Sequence, residues 1–80
     1  MILKEDIFGK LKEMVLDVLP ELDPAQITLS ASLRELGANS VDRADILISA
    51  MDELSVKVPM VEFAGAANIG EIVEIMHNHS

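Results

Sequence analysis

Eighty residues carrying 14 acidic and 6 basic side chains give a formal charge of −8, and half of the chain is apolar. That apolar fraction belongs to folding domains, and the short length predicts a single domain over residues 1–80, with a small core and little volume for a deep active site. The acidic balance excludes nucleic acid and anionic membranes as partners, since both need clustered Lys and Arg, and points to a protein with a basic patch.

In chain order, the first segment, from about Leu3 to Leu19, places Leu3, Ile7, Leu11, Met14, Val15 and Val18 at helical spacing, with Lys4, Glu5, Lys12, Glu13 and Asp17 on other faces. Pro20 ends it. Residues 20–39 read as a long, punctuated connection. Asp23-Pro24-Ala25-Gln26 has a cap, a first-turn proline and a capping-box Gln; Ser32-Leu33-Arg34-Glu35 repeats the pattern before Gly37 stops it. Ile27, Leu29, Leu33 and Leu36 are expected to pin this loop to the core.

The next helix is predicted from about Val41 to Leu54, with Ser40 as its N-cap. Val41, Ala44, Leu47, Ile48, Met51 and Leu54 share one stripe at 100° per residue, which predicts an inward face. Asp42, Asp45, Ser49, Asp52 and Glu53 lie opposite, and Ile46 falls among them. Pro59 then breaks the chain, and Met60 to Ala64 suffice for one short helical piece. Asn68-Ile69-Gly70-Glu71 is a further capping box, opening a final helix with Ile69, Ile72, Val73 and Met76 inward. No stretch alternates as a strand does. The predicted fold is all-α, a small four-helix bundle of three main helices and one short one.

No catalytic set emerges. Cysteine is absent, which excludes a disulfide scaffold, a thiolate zinc site and a cysteine nucleophile. His77 and His79 sit at the C-terminus, where a frayed tail is the plain expectation and no metal site is assigned. No apolar run nears the roughly 20 residues of a membrane span, and MILKEDIFGK gains charge too early for a signal peptide. A cytoplasmic monomer is expected.

What stands out is Leu36-Gly37-Ala38-Asn39-Ser40-Val41-Asp42, a glycine turn presenting one serine at a helix start. Two readings are open. Ser40 is an ordinary cap, or it bears a phosphoryl group that the helix N-terminus stabilises by about 0.3–1 kcal/mol, within reach of Arg43. The acidic helix is likewise either a solvated face or a docking face.

The stretch Ala31 to Asp42 resembles the acyl carrier protein signature, a Leu-Gly-x-Asp-Ser-Leu turn. The likeness extends over the whole chain, from first helix to capped last helix. It implies an acyl-carrier-protein-like fold with 4′-phosphopantetheine attached covalently to Ser40 by a phosphopantetheinyl transferase. The arm's thiol would carry acyl groups between enzymes, so the chain would be a carrier rather than an enzyme, and its lack of cysteine is no obstacle. Asn39 stands where the signature has aspartate, Val41 where it has leucine, and Arg43 adds a positive charge to a helix that is usually acidic.

Gly37 to Asp45, with the second block Glu62 to Glu71, is similar to one bacterial branch of the family: stand-alone donor carriers of polyketide β-branching cassettes. That resemblance implies malonyl loading through an acyltransferase, conversion to acetyl by a decarboxylase, and delivery to an enzyme like hydroxymethylglutaryl-CoA synthase. Asp42, Asp45, Asp52 and Glu53 would meet basic residues of partners, Arg43 would select among them, and Ile46 would be an apolar contact centre. The alternatives are a generic fatty-acid, polyketide or aminoacyl carrier, or, in a different class, a small acidic helical interaction module.

Overall fold

A computed structural model describes residues 2–80 and contains three α-helices: α1 over Lys4–Val18, α2 over Ser40–Leu54 and α3 over Ile69–Asn78. Two 3₁₀ turns, Pro24–Gln26 and Met60–Phe63, punctuate the connections. Among the described residues there is no strand, and no helix is long and apolar enough to cross a membrane.

α1 follows its sequence pattern. Ile7, Leu11 and Val15 recur at the four-residue spacing that aligns side chains on one face, and all are buried. Leu3 precedes the helix and is exposed, because its position belongs to the entry and not to the stripe. On the flank toward α2, Lys10 Nζ lies 3.3 Å from Glu13 and 3.5 Å from Glu53 of α2. The hydrogen bond to Glu13, ahead of the contribution from Glu53, holds the Lys10 ammonium above its ordinary pKa.

α3 buries Ile69, Ile72, Val73 and Met76, as its spacing predicts. Its N-cap is Asn68, whose side chain accepts from the Glu71 amide at 2.9 Å. Glu71 answers by accepting from Ala67 at 2.9 Å rather than from Asn68, so the predicted box closes one residue early. The helix runs through His77, and His79 Nδ1 lies 2.9 Å from the Ile75 carbonyl oxygen; the C-terminal turn is therefore built rather than frayed.

The long connection is pinned as predicted by Ile27 and Leu33, while Leu29 is exposed. Leu29 contributes backbone instead: its carbonyl accepts from Gly70 at 2.8 Å, and that of Ala31 accepts from Ile69 at 2.9 Å. Loop and α3 are thus joined by two main-chain bonds. Val56, Val58 and Phe63 complete a core that also takes Ile46, Leu47 and Ala50 from α2. Each of the larger ones, Ala50 apart, contributes roughly 1.5–3 kcal/mol when fully buried.

α2 is where the structure departs from the sequence pattern. The inward face is centred on Ile46, Leu47 and Ala50, with Met51 and Leu54 packed at its edge and Val41 and Ile48 outside it. Val41 is 75 % exposed and Ile48 53 %, whereas Ile46 is fully buried. The helix is rotated roughly a third of a turn from the expected orientation. The true inner stripe begins with Arg43, whose charge disguises it; of the expected stripe Leu47 is buried and Ala44, Met51 and Leu54 are half-buried, so only Val41 and Ile48 turn to solvent.

Candidate functional site at the start of α2

Four residues build the entry to α2. Gly37 takes φ +107°, a conformation side chains other than glycine rarely adopt, and so reverses the chain after the turn at 33–37. Ala38 follows and is 2 % exposed, with its amide donating to Leu33 at 3.0 Å. This small residue anchors the turn in the core, a role that spacing alone did not reveal.

Asn39, not Ser40, is the N-cap. Its Oδ1 accepts from the Asp42 amide at 2.8 Å, and the Asp42 carboxylate accepts from the Asn39 amide at 3.2 Å. The expectation of a Ser40 cap is corrected accordingly: an extended residue at 39 starts the helix one position earlier than Val41, and Ser40 becomes its first helical residue. Ser40 is exposed. Among the described residues its hydroxyl makes no hydrogen bond, and neither its amide nor that of Val41 has an acceptor. Those two amides belong to the orphan donors of a helix start, where an anion is favoured.

Arg43 folds back over the turn. Its Nη1 donates to the Ala38 carbonyl at 2.9 Å, and the side chain is partly buried. The guanidinium thus ties α2 to the buried residue two positions before Ser40. A helix interior rarely shows such a bond in its spacing, which is why the sequence pattern gave no hint of it.

The remaining candidates separate. Asp45 and Asp52 are exposed on the side of α2 opposite the core, in line with Val41 and Ile48. Asp45 accepts a 3.5 Å hydrogen bond from Ser49. Asp42 is occupied in the capping box, and Glu53 lies beside Lys10 on the flank toward α1. Ile46 is corrected: it is fully enclosed in the core and offers nothing to a partner. The apolar groups that face outward are Val41 and Ile48, with Met60 and Val61 exposed on the second 3₁₀ turn.

The geometry fits a phosphoryl ester on Ser40. The hydroxyl is accessible, the two nearest amides are uncommitted among the described residues, and the capping function does not compete for the oxygen. Ser40 with the amides of Ser40 and Val41 would hold such a group.

Comparison with known proteins agrees with this arrangement. Residues 9–76 match the model of the phosphopantetheine attachment site family. The chain is 43 % identical over 75 residues to the polyketide biosynthesis acyl-carrier-protein AcpK of Bacillus subtilis, covering 94 % of this chain and 92 % of that one. It is 34 % identical over 71 residues to the acyl carrier protein of Thermotoga maritima, covering 88 % and 86 % of the two chains. Among solved structures, a chain in the complex of the curacin biosynthetic pathway HMG synthase with acetyl donor-ACP superposes with a TM-score of 0.83 at 36 % identity, covering 92 % of this chain and 95 % of that one. With a phosphopantetheine attachment domain spanning most of its length and relatives of this closeness, the chain belongs to the acyl carrier protein family.

Proposed function

We propose that Ser40 is the attachment residue for 4′-phosphopantetheine and that this single-domain chain is the acetyl-donor carrier of a polyketide β-branching cassette. The observation that carries the first part is the exposed Ser40 hydroxyl on the first residue of a 15-residue helix whose cap is provided by its neighbour. When attached, the arm supplies the thiol on which acyl groups ride as thioesters. The protein's own residues present and identify it: Gly37 and Ala38 fix the turn, Asn39 starts the helix, and the helix N-terminus favours the phosphate.

The donor role is supported by the likeness to the carrier complexed with HMG synthase in the curacin pathway and to a polyketide carrier. In this reading a phosphopantetheinyl transferase installs the arm, an acyltransferase loads malonyl, a decarboxylase yields acetyl, and an HMG-CoA synthase-like enzyme receives it. The chain is their shared substrate rather than a catalyst, acting as a cytoplasmic monomer.

Partners read the outer ridge of α2, where Val41, Asp45, Ile48 and Asp52 alternate apolar and acidic groups. An apolar pocket edged by basic side chains complements it. Asp42 and Glu53 extend the negative field along one flank. Arg43 brings the one positive charge of α2 and admits an acidic group while repelling enzymes built for an all-acidic helix.

The test is intact mass after incubation with coenzyme A and a phosphopantetheinyl transferase. One prosthetic group should be added to the native chain and none to Ser40→Ala; a Ser40→Ala protein that still gains the mass would remove Ser40 from the site. Loading assays with malonyl, acetyl and amino acids then separate the donor role from a generic or aminoacyl carrier.

A further inference from the structure

Both arginines of the chain come to one groove. It encloses about 430 Å³ and is lined by Arg34, Arg43 and Asn68 around a floor that includes Leu47, Phe63 and Ile72. No Asp or Glu lines it, in a chain that has 14 of them. Among the described residues neither guanidinium lies within ion-pairing distance of a carboxylate. Arg43 commits one N–H to the Ala38 carbonyl, and its other donors are unengaged among the described residues.

With two cations facing one groove and no carboxylate between them, an anion placed there is attracted by both. A guanidinium fork matches a carboxylate in shape as well as charge. The floor narrows the choice of occupant. Leu47, Phe63 and Ile72 are core residues, 6 %, 8 % and 6 % exposed, so what remains of their surface at the groove is apolar. A bare phosphate gains nothing from such a floor, whereas a carboxylate on a short hydrocarbon stem satisfies both parts. Arg43, through Ala38, also ties this groove to the turn that presents Ser40. A group tethered there is held near the groove at high effective concentration, so modest intrinsic affinity suffices.

We infer that the groove receives a short acyl group ending in a carboxylate, carried on the arm at Ser40, with Arg34 and Arg43 on the carboxylate and the stem over Leu47, Phe63 and Ile72. This rests on the assignment of Ser40 as attachment residue. Removing the carboxylate from the cargo removes the charge contact, so the groove distinguishes a dicarboxylic acyl group from its decarboxylated product before any partner does.

The test uses the full chain carrying, through a stable amide link, malonyl labelled with carbon-13 at the free carboxylate. Matched propionyl-loaded and arm-only proteins are the controls. Intact mass confirms loading first; failure to gain the arm overturns the Ser40 assignment, and this inference with it, before any spectrum is recorded. With loading established, malonyl should shift the Arg34 and Arg43 Nε–H signals and those of Phe63 and Ile72, and the two controls should not. The labelled carboxylate should titrate about one pH unit lower than on Arg34→Gln protein, since a neighbouring guanidinium favours the charged form. Arg34 is exposed and makes no side-chain hydrogen bond among the described residues, so Arg34→Gln should fold normally, which thermal melting checks. Arg34→Lys should restore part of the lower titration. Identical spectra for malonyl and propionyl, or a titration unchanged in Arg34→Gln, would overturn the inference. Shifts already complete in the arm-only protein would assign the groove to the arm's phosphate and overturn it equally.

Discussion

Asn39 and Asp42 bond reciprocally across the first turn of α2, Oδ1 to amide at 2.8 Å and amide to carboxylate at 3.2 Å. The arrangement relieves Ser40, which lies between them, of any capping role. A serine that caps its helix has its oxygen committed to a backbone amide; a serine at the first helical position does not. Placing the cap on Asn39 therefore separates helix stability from chemical availability in adjacent residues.

The separation is measurable by melting. Asn39→Ala should cost about 1 kcal/mol, the usual price of losing a polar N-cap, or roughly 4–8 °C in a domain of this size. Ser40→Ala should melt within about 0.5 kcal/mol of the native chain, yet lose the prosthetic-group mass gain entirely. Equal destabilisation by both would return the cap to Ser40.

How much of this was legible depended on which residues carried each face. α1 and α3 were readable because their buried positions, Ile7-Leu11-Val15 and Ile69-Ile72-Val73-Met76, are all apolar and their outer faces mostly polar. In α2 the two signals conflict. Val41 and Ile48 are apolar but exposed, and Arg43 is charged but turned toward the core side, so counting apolar residues selects the wrong face. The serine turn was legible through its resemblance to a known signature, since Gly37 and Ser40 taken alone left an ordinary helix cap equally open. The identity of the cap was not, because Asn39 and Ser40 are both good N-caps and only backbone geometry decides between them. The Arg34–Arg43 groove joins residues nine apart with others beyond 60, a juxtaposition that no local pattern encodes.

The rotation of α2 makes opposite predictions for two isoleucines separated by one residue. Ile46→Ala empties a fully buried position and should cost about 2–5 kcal/mol. Ile48→Ala, at a site 53 % exposed, should change stability little but raise the KM of a partner that docks on the ridge. Urea unfolding of both variants, with transferase kinetics for Ile48→Ala, checks the pair. A large stability loss at Ile48 with none at Ile46 would restore the other face.

Two helical glycines should respond in opposite ways to alanine. Gly9 lies within α1, and an added Cβ meets nothing within 4 Å, so Gly9→Ala should stabilise by about 0.5–1 kcal/mol through helix propensity. At Gly70 the same Cβ would lie 3.1 Å from the Leu29 carbonyl oxygen and 3.3 Å from Asn68 Oδ1. The Leu29 oxygen is the acceptor of the Gly70 amide, so relief requires stretching the bond that joins loop to helix. Gly70→Ala should forfeit the propensity gain and speed hydrogen exchange at the Ile69 and Gly70 amides. A stabilised Gly70→Ala protein with unchanged exchange would show that the loop yields freely.

Arg43 braces the turn through Ala38 and, in the proposed function, is also read by partners; Arg43→Met separates the two by keeping most of the stem while removing the guanidinium. Losing the bond to Ala38 should cost about 1 kcal/mol and speed exchange at the Gly37 and Ala38 amides. The serine turn remains anchored by Ala38 in the core and by the Asn39 cap, so phosphopantetheinylation should fall only a few-fold. If the proposed partner reading holds, turnover by an HMG-CoA synthase-like enzyme should fall further, since the positive charge itself is then the recognised feature. Arg43→Glu, which inverts that charge beside Asp42, should widen the gap between the two assays. Equal losses in both, tracking the drop in melting temperature, would reduce Arg43 to a brace for the turn and leave the ridge of Val41, Asp45, Ile48 and Asp52 as the sole basis of partner choice.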